Sequence, residues 1–136
     1  MSCLSKMQTL GLLHRDIKPS NILIVQKGGQ KVYKIADMGF AILKQLYRGG
    51  SIAGTGGFAS PRIRRKFIDE KVEIAGNNTK DDVYSLGVTL LFLCHLGYRL
   101  PNTNSLEEVR NKYNEEIYAI IKDMLAIDER MRPTFK

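Results

Sequence analysis

Blocks of apolar and polar residues alternate along the chain, and the spacing within each block predicts a different element. Residues 1–11 read as the end of a helix closed by a turn at Gly11. Ile22 to Val25 is a short run of branched apolar residues, which favours a strand. Val32 to Asp37 is a second strand candidate, and the paired glycines of "QKGGQK" between them predict a β-hairpin turn. From Ala41 to Pro61 no period is sustained, which marks a long loop of the kind that carries function or lacks order. Asp82 to Leu96 is predominantly apolar and predicts a buried core helix. "SLEEVRNKY" predicts a surface helix opened by a capping box, Ser105 with Glu108 three residues on. Residues 115–126 place Ile117, Ile120, Ile121, Met124 and Leu125 on one helical face, and Pro133 ends the pattern.

The hairpin concentrates polar chemistry at its open end. With the turn near Gly28 and Gly29, antiparallel pairing predicts that Asn21 and Asp37 return to the same end. Asp16 and Lys18 lie just upstream, in the loop that feeds it. An amide oxygen and carboxylates are hard ligands of the type Mg²⁺ takes beside water and phosphate. A lysine is a compact charge suited to a phosphate oxygen.

Composition narrows the class. The chain has 136 residues, 43% apolar and 26% charged, enough for one folded domain with one core. The net charge of +7 raises nucleic acid, membrane surface or a phosphorylated ligand as partners. The basic residues are scattered apart from "RIRRK", and no nucleic-acid-binding motif accompanies them, so no nucleic-acid partner is expected. Cys3 and Cys94 form no CxxC pair, and His14 and His95 lack metal-ligand spacing, which argues against a disulfide framework and a zinc site. Reduced thiols and no signal-peptide layout point to a cytoplasmic protein. Val83 to Gly97 falls short of the roughly 18 apolar residues of a membrane span.

Five segments in register resemble the C-terminal lobe of a eukaryotic protein kinase. "HRDIKPSN" resembles the catalytic-loop signature H-R-D-L-x-x-x-N, with Ile17 for leucine. "DMG" stands where the family has D-F-G, and "SPR" in "GTGGFASPR" where it has A-P-E. "DDVYSLG" resembles the start of the family's central helix, and "MRPTF" its closing segment. The resemblance implies a mostly α fold: the helical C-terminal lobe, with a short β-hairpin carrying the catalytic and metal residues. It covers residues 1–136 as a partial kinase domain, from the end of the helix before the catalytic loop through the closing RPT segment.

The resemblance implies roles residue by residue. Asp16 would be the catalytic base toward a protein Ser/Thr hydroxyl, and Lys18 would stabilise the transferring γ-phosphate of ATP. Asn21 and Asp37 would hold Mg²⁺, and Leu23 would pack beneath adenine. Lys18 two residues after Asp16 resembles a serine/threonine kinase. Thr55 matches the family threonine that contacts Asp16 and Lys18, and Ser51 lies where relatives carry an activating phosphate, with Arg15 as its partner. His14 would pack below Met38. Asp82 reads as a cap of the long helix, and the resemblance adds bonds to the backbone near His14 and Arg15. Arg132 supplies the arginine of a family ion pair.

Three substitutions depart from the family. Met38 replaces phenylalanine, Phe58 a common tyrosine, and Arg62 the glutamate that pairs with the arginine matched by Arg132. Two cations would then face each other. Either the loop is rearranged or an acid such as Asp128 or Glu129 compensates. Only thirteen residues precede His14, too few for the Gly-rich loop, the strand lysine and the helix glutamate of an N-terminal lobe. The expected activity is that of a serine/threonine kinase fragment, active only when the N-terminal lobe is present. The alternative is an inactive truncated kinase or pseudokinase serving as an interaction module, whose exposed N-lobe-facing surface a partner would cover.

Overall fold

The computed structural model describes residues 2–46, 53–72, 78–95, 102 and 104–135. Helix α1 (Cys3–Thr9) opens under a cap in which the Ser2 hydroxyl accepts the Ser5 N–H at 3.2 Å. Strand β1 (Leu12–Leu13) follows the turn at Gly11 and pairs antiparallel with β4 (Ile42–Leu43). The segment expected to be a featureless loop after Ala41 therefore begins with a strand, because Leu13 and its partner need a ladder to enter the interior together. The catalytic-loop signature lies between β1 and β2 (Ile22–Lys27), which forms the predicted hairpin with β3 (Gln30–Ile35).

The first hairpin strand runs two residues further than the apolar pattern indicated, and the second, expected over Val32 to Asp37, starts two residues earlier and ends at Ile35. Lys27 pairs directly with Gln30, leaving a two-residue turn. Gly28 and Gly29 both have positive φ, 57° and 78°, as a type I′ turn requires. This fixes Ile22 opposite Ile35, and the Ala36 N–H donates to the Asn21 carbonyl at 2.8 Å. Asn21 thus faces Ala36, the position equidistant from the Gly28–Gly29 turn, and not Asp37. Asp37 falls just past the strand, one position beyond.

Helix α2 (Pro61–Ile68) covers the basic cluster and was not visible as a helix in the apolar pattern. Helix α3 (Thr79–Cys94) starts three residues earlier than expected and is buried along most of its length. Its cap is Asn78, whose side chain accepts the Lys80 N–H at 3.1 Å, not Asp82 as the sequence indicated. Asp82 lies in the first turn and points elsewhere. Helix α4 (Ser105–Lys112) is preceded by Asn104 with no side-chain capping bond. The expected capping box is not formed, because the Ser105 hydroxyl is buried and bonds the Asn102 side chain and backbone. Helix α5 (Glu115–Met124) buries Ile121 and Met124 as expected, but Ile120 is 57% exposed and Tyr118 is buried in its stead.

The interior has two apolar clusters. Leu4, Met7 and Ile17 pack with Leu12, Ile35, Leu86 and Phe135, joining α1, the catalytic-loop segment and α3. Leu91, Val109 and Ile121 form the second, joining α3, α4 and α5. Helix α3 belongs to both, so its first turn is a fixed platform beneath the polar loops. Burying one such aliphatic side chain contributes about 1.5–3 kcal/mol. Among the described residues, no helix is long and apolar enough to cross a membrane.

Candidate functional site

The site begins with a turn that one carboxylate holds. Leaving β1, the backbone N–H of His14 donates to Asp82 Oδ2 at 2.8 Å and that of Arg15 to Asp82 Oδ1 at 2.8 Å. Arg15 has φ 73°, a left-handed conformation that is uphill for a long side chain. The two bonds to Asp82 offset that strain. The carboxylate is nearly inaccessible, and burial pushes it above the ordinary range despite the pull of the His14 and Arg15 N–H groups. His14 is fully buried, and its Nδ1 accepts the Asp16 N–H at 3.3 Å. Its Nε2 therefore carries the proton and donates to the Ala36 carbonyl at 3.0 Å. Met38 is 46% exposed, and the two ring nitrogens of His14 bond the Asp16 N–H and the Ala36 carbonyl past the end of β3.

Asp16 is buried, and both of its oxygens are occupied. Oδ1 accepts the Thr55 hydroxyl at 2.8 Å. Oδ2 meets Lys18 Nζ at 2.8 Å and Asn21 Nδ2 at 3.2 Å. Lys18 also donates to Thr55 Oγ1 at 2.8 Å, and Asn21 Nδ2 to the Asp16 carbonyl at 2.8 Å. Asp16, Lys18, Asn21 and Thr55 therefore form one closed network. Burial alone would raise the Asp16 carboxyl. The bonds from Lys18 and Thr55, the Lys18 charge and the Asn21 bond outweigh it and hold the group below the ordinary carboxylate value.

Asp37 stands at the exit of β3 with φ 61°, and its Oδ1 accepts the Gly39 N–H at 3.1 Å. It is exposed, and its second oxygen has no bond among the described residues. Asn21 spends its amide N–H groups on Asp16, so Asn21 Oδ1 is likewise without a bond there. No group of three or more His, Cys, Asp or Glu side chains is clustered for metal binding among the described residues. An amide oxygen and a carboxylate oxygen are hard donors of the type Mg²⁺ takes beside waters and phosphate. Leu23 is half exposed on β2. Ser51 lies outside the described residues.

The Arg62 conflict is resolved by an acid that the sequence reading did not name. Asp81 faces Arg62, whose Nε donates to Asp81 Oδ1 at 3.0 Å and whose terminal nitrogen pairs with Oδ2. Glu129 adds a contact to Arg62 Nε at 3.2 Å, as one of the two candidates predicted. Asp128 does not, because it is taken by Arg130 at 2.7 Å. Arg132 is buried, with bonds to the carbonyls of Ala126, Lys80 and Ile127, and lies 3.8 Å from Asp81. The adjacent acids "DD" were the signal that could have found Asp81.

Gly54 also escaped sequence reasoning. Its φ is 100°, and a Cβ there would sit 2.3 Å from the Arg15 carbonyl oxygen and 3.8 Å from Asp16 Oδ1. Gly54→Ala should push the Thr55 segment away from Asp16. We expect a loss of stability of about 1–3 kcal/mol and a matching loss of any activity that needs the network. Urea denaturation and turnover measured on the same preparation check this, and an unchanged midpoint would contradict the close approach.

The comparisons with known proteins follow the geometry. The chain matches the family described as "Protein kinase domain" over residues 1–136. It is 38% identical over 93 residues to a probable serine/threonine-protein kinase of Dictyostelium discoideum, covering 66% of this chain and 6% of that protein. It is 28% identical over 136 residues to the G2-specific protein kinase fin1 of Schizosaccharomyces pombe, covering 90% of this chain and 17% of that one. Against the inhibitor of nuclear factor kappa-B kinase subunit alpha of Danio rerio it is 33% identical over 117 residues, 80% of this chain and 14% of that one. The chain thus spans less than a fifth of the length of these relatives. The network centred on Asp16 lies inside the matched region, and with that match over its whole length the chain belongs to the protein kinase family.

Proposed function

We propose that this chain is the C-terminal lobe of a serine/threonine protein kinase and carries its phosphotransfer residues. The observation that carries the reading is the closed network in which Asp16 receives both Lys18 and Thr55 at 2.8 Å. In this reading Asp16, ionised at neutral pH, is the catalytic base that accepts the proton of the substrate hydroxyl and orients its oxygen, with Thr55 bonded beside it. Lys18, 25% exposed, is free to turn from Asp16 toward the negative charge that develops on the phosphoryl group. ATP with Mg²⁺ supplies the phosphoryl group and its charge neutralisation, and Asn21 and Asp37 are the residues that would hold the metal. Leu23 offers an apolar surface to the adenine. Ser51 is proposed as the phosphorylation site that would pair with Arg15.

Names among the relatives include both serine/threonine and dual-specificity kinases. The test is transfer of labelled γ-phosphate from Mg²⁺-ATP to a protein substrate by this chain with an N-terminal kinase lobe present, followed by identification of the phosphorylated amino acid. Label on serine or threonine is expected, and label on tyrosine alone would overturn the substrate class. A second reading, an interaction module without catalysis, is favoured by the exposed apolar residues Leu23, Ile24 and Tyr33 on the hairpin. Partner capture that survives Asp16→Asn, in a protein without phosphotransfer, would support it.

A further inference from the structure

The first turn of α3 carries two consecutive carboxylates with separate duties. Asp82 holds the backbone of His14 and Arg15. Asp81 turns to the other side of the site. Its Oδ1 accepts the hydroxyl of Ser60, which is fully buried, at 2.6 Å. The same oxygen accepts Arg62 Nε at 3.0 Å and lies 3.8 Å from Arg132. Glu129 completes the cluster, meeting Arg62 at 3.2 Å and accepting the Asn78 side chain at 3.0 Å. Two buried or half-buried guanidinium groups are therefore matched by two carboxylates, and no charge is left uncompensated.

From Ser60 a short, internally bonded turn leads back to Thr55. The Phe58 and Ala59 N–H groups donate to the Thr55 carbonyl at 2.9 and 3.2 Å. Phe58 packs edge-on against Phe92 of α3, with ring centroids 5.7 Å apart. The place of Thr55 Oγ1 on Asp16 is thus set by where Ser60 and Arg62 are held. We infer that Asp81 is a positioning residue for phosphotransfer: it ties residues 55–62 to the helix that also holds the catalytic loop, in the role an acidic partner at position 62 would otherwise fill. This inference rests on the kinase reading for its catalytic meaning, and on the contacts alone for the tether.

The experiment compares Asp81→Asn, Asp81→Ala and the double variant Asp81→Ala with Arg62→Glu. The double variant returns a carboxylate beside Arg132 and removes the second cation. Amide hydrogen exchange of the purified protein is the first readout. In Asp81→Ala the Phe58 and Ala59 amides should exchange at least about tenfold faster, while α5 changes by less than about twofold. The double variant should recover most of the protection, and Asp81→Asn should be intermediate. Unchanged exchange in residues 55–62, or a uniform loss across the chain that the double variant does not repair, would overturn the tether. Turnover is the second readout: kcat should fall by about tenfold or more with KM for ATP unchanged. A protein inert before mutation even with an N-terminal kinase lobe present, with the exchange pattern as expected, would sink the kinase reading and leave the tether. An active protein whose segment protection ignores Asp81 would do the reverse.

Discussion

Asp16→Asn is expected to lower phosphotransfer turnover by about 10²–10⁴-fold, the usual contribution of a positioned general base, with KM for ATP little changed. The substitution keeps the size of the side chain and an oxygen able to accept the Thr55 hydroxyl. It removes the charge that holds Lys18 at 2.8 Å and the capacity to take a proton. A folded protein with lost turnover would therefore assign the loss to chemistry. Thermodynamics gives a second signature. The folded-state carboxyl titrates below its ordinary value because the bonds from Lys18, Thr55 and Asn21 outweigh burial. A depressed group contributes stability that is present above its unfolded pKa of about 3.9 and is lost as pH falls through the folded value. The stability gap between the parent and Asp16→Asn should shrink on acidification below about pH 4. Urea denaturation at neutral and acid pH measures it, and a gap that widens in acid would contradict the network.

Asp82→Ala is the second large effect, and its pH signature runs the other way. The substitution strands the N–H groups of His14 and Arg15, each bonded at 2.8 Å. An unsatisfied buried donor costs about 1–3 kcal/mol, so a loss of about 3 kcal/mol or more is expected at neutral pH. Arg15 would also lose the bonds that hold its left-handed backbone, and turnover should fall with stability. The Asp82 carboxyl is raised by burial, against the pull of the two N–H groups. A raised group contributes stability fully present below its unfolded pKa and lost as pH rises through the folded value. The difference between the parent and Asp82→Ala should therefore be greatest in acid and narrow toward neutral pH. Denaturation midpoints for the two proteins across that range decide the matter.

The site was legible in sequence to an unequal degree. The hairpin follows from a run of branched apolar residues and a paired-glycine turn, the core helix from a continuous apolar stretch, and the last helix from its period, since burying one face of a helix constrains every third to fourth residue. The catalytic-loop residues lie within six positions of one another, and local chain geometry keeps Asp16, Lys18 and Asn21 close. Thr55, by contrast, reaches Asp16 across 39 residues, and only the family resemblance indicated it. Capping was read poorly at Ser105 and Asp82 because other partners claimed those side chains: Asn102, three residues back, for Ser105, and the distant His14–Arg15 backbone for Asp82. Ile120 was misread because the period of a helix gives its apolar face but not how wide a strip its neighbours cover.

The amino-acid sequence by itself determined the order of elements, the two-glycine turn and the clustering of Asp16, Lys18 and Asn21, because these depend on backbone preference and short separations. The tertiary structure alone decided that Gly54 packs on the Arg15 carbonyl and that Asp81 neutralises Arg62. The physical reason is the same in each case. Close backbone approach and the choice of ion partner depend on which distant surfaces meet, and the buried helix α3 carries the carboxylates that hold those surfaces, Asp82 on the His14–Arg15 turn and Asp81 on Ser60 and Arg62.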